Sequence, residues 1–148
     1  MTVSRFNIRV YGLLLHGGRV LVSEEVVQGR RITKFPGGGL IPGEGTLDGL
    51  KREIREELGL EAKHLEHFYT TDFFQPSAFS TLDQIISIYY TFEVDHPEAF
   101  RDGEAAPGPD ADKAQHLRWL SLGTAHARDV DLPIDRVVLE MLLNGAGR

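Results

Sequence analysis

The segment from Gly37 to Leu60, GGGLIPGEGTLDGLKREIREELGL, constrains this chain more than any other. A glycine-rich stretch runs into a helix that reads from about Thr46 to Leu58. Thr46 is placed to cap it, Asp48 suits the positive end of its dipole, and Gly59 stands where a left-handed C-terminal cap belongs. At about 100° per residue, Leu47, Leu50, Ile54 and Leu58 form an apolar stripe that must cover a sheet. Glu53, Glu56 and Glu57 gather along the border of that stripe, while Lys51, Arg52 and Arg55 take the remaining side. The bland explanation is a solvated helix face with local ion pairs.

The spacing favours a second explanation. Like charges at i, i+3 and i+4 destabilise a helix by a few tenths of a kcal/mol per pair. A hard cation such as Mg²⁺ or Mn²⁺ removes that penalty, because it prefers several carboxylate oxygens. The glycines at 37, 38 and 39 permit sharp turns and close backbone approach to a ligand, and Glu44 adds a carboxylate near the helix start. A net charge of -6 argues against a basic face for a nucleic-acid polymer, so an anionic substrate needs something like a metal ion to attract it.

Other classes fall away quickly. The chain has no cysteine, which excludes disulfides, thiolate metal sites and cysteine nucleophiles. Its six histidines are scattered, with no pair at zinc spacing. No apolar run approaches the ~18 residues a membrane span needs, and no leader pattern is visible, so the expectation is a cytoplasmic protein.

Strands are expected over 6–15 and 19–26, joined by the turn His16-Gly17-Gly18. After an exposed basic loop, Gln28 to Arg31, a short strand covers 32–35 and Pro36 stops it. Longer strands are expected over 62–74 and 83–94, a mobile loop over 96–113, a final strand over 116–122 and a terminal helix over 133–145. That pattern gives one α+β (mixed α/β) domain over residues 1–148.

The motif itself is specific. Gly38, five residues, Glu44, seven residues, then Arg52-Glu53-Ile54-x-Glu56-Glu57-x-Gly59-Leu60 resembles the Nudix box at every defining position. The resemblance implies a Nudix fold, an α/β/α sandwich with a mixed β-sheet between helices and the box as loop–helix–loop. It also implies metal-dependent hydrolysis of a phosphoanhydride in a nucleoside diphosphate linked to another moiety. By that resemblance Glu53, Glu56 and Glu57 are metal ligands for Mg²⁺ or Mn²⁺, and one of them or a carboxylate elsewhere activates water. Arg52 then orients a box glutamate, Gly38 lets the backbone shape the site, and Glu44 supports the site or the helix start. The family also leaves a homodimer open.

Outside the box FPGGG and LRWLSL also resemble the family's usual flanks, but single positions depart from them. Lys113 and His116 stand where relatives often carry an acid before the tryptophan strand, leaving Asp112 or Asp110 as substitutes. Arg31 and Lys34, with Arg30, are candidates to meet phosphate or ribose. Phe73 and Phe74, with Phe79, are candidates to stack on a base, although such a residue is more often core than ligand contact. Trp119 reads as core. The competing function is a catalytically silent nucleotide-binding module that keeps the fold without turnover. An isomerase of this fold is disfavoured by the missing cysteine.

Overall fold

The computed structural model describes residues 2–146. Among them run strands β1 (Arg5–His16), β2 (Arg19–Val27), β3 (Arg30–Lys34), β4 (Gly37–Gly39), β5 (Lys63–Thr70), β6 (Asp83–Glu93) and β7 (His116–Ser121). Helix α1 covers Thr46–Leu58 and α2 covers Pro133–Leu143, with short 3-10 turns at Pro97–Ala99 and Ala127–Asp129. The expected hairpin and both helices are present, and the sheet is mixed: β1 runs parallel to β6 while its other pairings are antiparallel.

The apolar patterning divides this sheet into two packed faces. Val10, Leu14 and Leu21 lie with Leu50, Ile54 and Leu58 of α1 in one cluster; Tyr11, Leu13 and Tyr89 lie with Ile134, Val138 and Leu139 of α2 in the other. The helices therefore cover opposite faces of one sheet, as an α/β/α sandwich requires. Each fully buried leucine or isoleucine of α1 contributes about 1.5–3 kcal/mol.

β1 creates the opening that matters for function. Its last residues pair with β2, through Leu15 and His16. Earlier, Arg9 to Tyr11 pair with β4 instead, and β2 turns away to pair with β3 and β7. The two halves of the sheet consequently splay, leaving a cleft between β1 and β6 on one side and β2 and β3 on the other.

Several local expectations need correction. Leu47 is 46% exposed; Gly49 is buried in the first turns of α1 instead. Thr46 does not cap the helix: Gly45 is the N-cap, and Thr46 Oγ1 hydrogen-bonds to Tyr90 Oη at 2.6 Å. Gly59 does take the left-handed conformation, with φ 71°. Arg30 and Arg31 belong to β3 rather than a loop.

Glycines 37 to 39 form a strand, and the close approach they permit is to the protein itself. A Cβ on Gly37 would lie 2.1 Å from the Val10 carbonyl oxygen, at φ +145°. The 96–113 segment is anchored where a mobile loop was expected. Its Gly108 and Asp110 amides donate to the Glu57 and Glu56 carbonyls at 2.7 and 3.0 Å, satisfying the last carbonyls of α1.

Candidate active site

The glutamates are arranged around one arginine. Arg52 Nη1 donates to Glu53 Oε1 and to Glu56 Oε2, both at 3.0 Å. Its Nη2 donates to Glu44 Oε1 at 2.7 Å and to the Gly39 carbonyl at 3.0 Å, while Nε reaches Glu44 Oε2 at 3.0 Å. One guanidinium thus ties the loop before α1, the strand β4 and two carboxylates of the helix together. Glu44 holds that guanidinium in its charged form, above its ordinary value, against the effect of burial. In return, Arg52 and the Ile41 amide draw the Glu44 carboxyl down to about 2. Glu44 therefore supports the helix start and the arginine.

Glu53 sits directly against β4. A Cβ on Gly38 would come within 2.8 Å of Glu53 Oε1, so any side chain at 38 would displace this carboxylate. Burial raises the Glu53 carboxyl, and the Arg52 hydrogen bond works against that rise. Glu57 is turned toward the base of β4, where its Oε2 accepts from the Gly37 amide at 3.1 Å. Burial pushes its carboxyl up to about 7; Lys34 opposes the shift, whereas Glu53 and Glu25 add to it. Glu56 is the most open of the three, with 35% of its side chain exposed.

Among the described residues no three acidic or histidine side chains are closed round a single point as a metal cage; Arg52 stands between two of the glutamates. The donor set nonetheless fits a hard divalent cation. Glu53, Glu56 and Glu57 occupy one turn of a helix, all supply oxygen, and burial penalises the charge on two of them in the way a cation would offset.

The cleft between the sheet halves has a volume of about 420 Å³, and Lys34, Glu25 and Arg9 are among the residues that line it. Their charges act on the box: Lys34 and Glu25 on Glu57, and Arg9 on Glu53. Its apolar wall comes from Ile32, Ile85 and Ile134, among others, and Phe79 stands at its rim. Arg30 lies 5.2 Å over the Phe79 ring, bridging β3 and the 73–81 loop.

This geometry sorts the residues that the sequence nominated. Glu53, Glu56, Glu57, Arg52, Glu44 and Gly38 are brought together. Lys34 lines the cleft but is only 5% exposed, and its ammonium faces Phe35 and Gly37 carbonyls at 3.4 Å and Glu25 at 3.7 Å. Burial pulls its pKa down, but Glu57, Tyr11, Glu25 and Asp135 more than offset that, so the amine stays charged. Arg31 points elsewhere, 3.8 Å from Glu24 and 75% exposed. Phe73 and Phe74 are exposed and do not line the cleft; of the three loop phenylalanines, Phe79 does. Asp112 is spent on its own turn, accepting from the Ala114 amide at 2.8 Å, and Asp110 meets the box only through its backbone. Trp119 is core, donating from Nε1 to the Phe100 carbonyl at 2.7 Å.

Sequence reasoning missed Arg9, Tyr11, Glu25 and Asp135. A signal for the first two was present in FNIRVY, where Asn7, Arg9 and Tyr11 alternate with Phe6, Ile8 and Val10. The polar side of that strand faces the cleft. Asp135 is completely buried beneath it, accepting from the Tyr89 hydroxyl and from the Phe35 amide at 3.3 Å.

Comparison with known proteins gives the arrangement a context. In solved structures, this chain is similar to a NUDIX hydrolase from Nitrosomonas europaea, at 19% identity and a TM-score of 0.74, covering 96% of this chain and 91% of that one. It is similar to the E. coli ORF135 protein at 24% identity and a TM-score of 0.64, over 96% and 93% of the two chains. A MutT NUDIX hydrolase from Burkholderia pseudomallei matches at 21% identity and a TM-score of 0.65, over 93% and 98%. No curated protein matches. These likenesses establish the fold. The family model for the NUDIX domain matches residues 5–142, so the strands that shape the cleft are included along with the box. The match takes in the glutamate turn clasped by Arg52 and the glycine strand β4 beneath it and spans nearly the whole chain, which belongs to the Nudix family of hydrolases.

Proposed function

We propose that this Nudix hydrolase is a pyrophosphohydrolase. It cleaves, with Mg²⁺ or Mn²⁺, a phosphoanhydride bond in a nucleoside diphosphate linked to another moiety, within one domain. The observation that carries this reading is the convergence of Glu53 and Glu56 on Arg52 Nη1, with Glu57 one turn on and turned toward the same glycine strand. A cation held by these three glutamates supplies charge neutralisation on the anhydride oxygens and a more acidic water.

The chain's own residues supply the rest. Arg52 keeps two carboxylates in fixed rotamers, so little reorganisation is needed when substrate arrives. Gly38 leaves room for the Glu53 carboxylate against β4. The Gly37 amide fixes Glu57. A carboxylate of this turn takes the proton of the attacking water, and the cleft holds the nucleoside half of the substrate beside it. Phe79, at the rim, offers the aromatic face for a base.

Purified protein with Mg²⁺ or Mn²⁺ should release nucleotide product from at least one of a nucleoside triphosphate, a dinucleotide polyphosphate and a sugar nucleotide such as ADP-ribose. No product from any of them, together with no Mn²⁺ binding by calorimetry, would overturn the reading. Nucleotide binding without turnover would instead favour the silent sensing module.

A further inference from the structure

Strand β1 presents its residues to the cleft two apart. With a rise of about 3.3 Å per residue, Asn7, Arg9 and Tyr11 mark positions about 7 Å apart from the outer to the inner end. Tyr11 is paired with Gly37 and Arg9 with Gly39, the strand on which Glu53 and Arg52 rest. Arg9 therefore stands where the cleft gives way to the glutamate turn. A Cβ placed on Gly39 would lie 3.7 Å from its Nη1.

The hydrogen bonding of Arg9 is incomplete. Its Nε donates to Tyr11 Oη at 2.6 Å, and among the described residues no hydrogen bond is made by Nη1 or Nη2. Burial works against its charge, but Tyr11, Glu53 and Glu25 more than offset that effect. Of the two cations lining the cleft, Lys34 is committed to backbone carbonyls and Glu25. Arg9 is anchored through Nε and lines the cleft, with no hydrogen bond to its outer fork among the described residues. A guanidinium fork matches two oxygens of a phosphate, and an ammonium does not.

We propose that Arg9 is a substrate-binding residue whose two outer nitrogens grip a phosphate of a nucleoside diphosphate, holding the anhydride between the cleft and the glutamate turn. The inference rests on the functional reading above, since it assumes that the cleft takes a nucleotide. It adds a direction: the nucleoside lies toward Asn7 and Phe79, and the phosphates extend past Arg9 toward Glu53.

Binding without turnover tests it independently of catalysis. Calorimetry in EDTA would titrate ADP, GDP, CDP, UDP and pyrophosphate, plus the nucleoside matching the tightest diphosphate, into wild type, Arg9→Ala, Arg9→Lys and Tyr11→Phe. The tightest diphosphate should weaken about 10- to 100-fold in Arg9→Ala, and less in Arg9→Lys and in Tyr11→Phe, which removes only the Nε anchor. Affinity for the nucleoside should be unchanged throughout. Equal losses for nucleoside and diphosphate, a Tyr11→Phe defect as large as that of Arg9→Ala, or no wild-type binding of any probe would each overturn the proposal. If Arg9-dependent diphosphate binding is found in a protein that hydrolyses nothing, the catalytic reading fails and this inference stands.

Discussion

The glutamate turn of α1 and the cleft between the sheet halves lie side by side, yet they are built on different principles. The turn is local: its three glutamates and its clasping arginine fall within six consecutive residues, and Glu44 and the β4 backbone join them from outside the helix. The cleft is assembled from β1, β2, β3, β6, the 73–81 loop and the start of α2. A local site can be written in a motif, whereas an assembled one depends on where strands part. The difference suggests that the turn carries the reaction and the cleft carries the choice of substrate.

The sharpest way to break that division is Glu56→Gln. Glu56 is the most open of the three glutamates and touches Arg52 at its edge, so its amide should fold normally. Turnover should fall about 10³-fold, as for removal of a group acting on transition-state charge, with the melting temperature essentially unchanged. Activity within threefold of wild type would show that chemistry does not depend on this turn.

The floor of the cleft should show in the pH dependence of stability. The Asp135 carboxyl is raised to about 6, chiefly by burial, while the Tyr89 hydroxyl, the Lys34 ammonium, the Phe35 amide and Arg9 pull it back. Because its folded pKa exceeds the unfolded value of 3.8, the folded chain binds more protons between these values. Stability from this group is therefore complete below pH 3.8 and is lost as pH rises through about 6. The loss amounts to about 3 kcal/mol. Urea unfolding of wild type and Asp135→Asn from pH 4 to 7 should show their stability difference shifting by about that amount against wild type. The lost Phe35 bond in the variant is a pH-independent offset. A flat difference would remove Asp135 from the account.

Much of this architecture was legible because it is periodic or local. The α1 boundaries follow from the leucine–isoleucine spacing and from Gly59, and the first hairpin from His16-Gly17-Gly18. What failed to read was long-range. Leu47 looks like core on the helical wheel but is exposed, beside Lys63 to Leu65 of β5. Lys34 looks like a surface cation but is buried, with charged or polar partners from α1, β1, β2 and α2. Residues 96–113 have a disordered composition but are held by the end of a helix far away in sequence. Family resemblance placed the box glutamates; no motif was available for Arg9 or Asp135.

Gly38→Ala acts at the border between the two regions. The added methyl would press on the Glu53 carboxyl at 2.8 to 2.9 Å, the far end of a side chain that can move. Folding should survive with Glu53 displaced, and kcat should fall about 30-fold, within the range that misplacing a catalytic group costs. Gly37→Ala makes the control, since its methyl would meet the Val10 carbonyl at 2.1 Å and should compromise folding. If Gly38→Ala left kcat intact, Glu53 would not need its place against β4.

The smallest expected effect comes from the cleft rim. Phe79 lines the cleft and its ring is covered by Arg30, so a stacked base would share the ring or displace that cation. Removing an aromatic stacking face costs about 1–3 kcal/mol per base. Competition from Arg30 places this ring at the low end, so Phe79→Ala should raise KM about tenfold and change kcat less than twofold. Because Phe79 is far from the glutamates in the sequence and touches none of them, a fall in kcat instead of a rise in KM would mean that the loop acts on the reaction. The division between a local turn for chemistry and an assembled cleft for selection would then fail at the one aromatic contact that the cleft offers from the 73–81 loop.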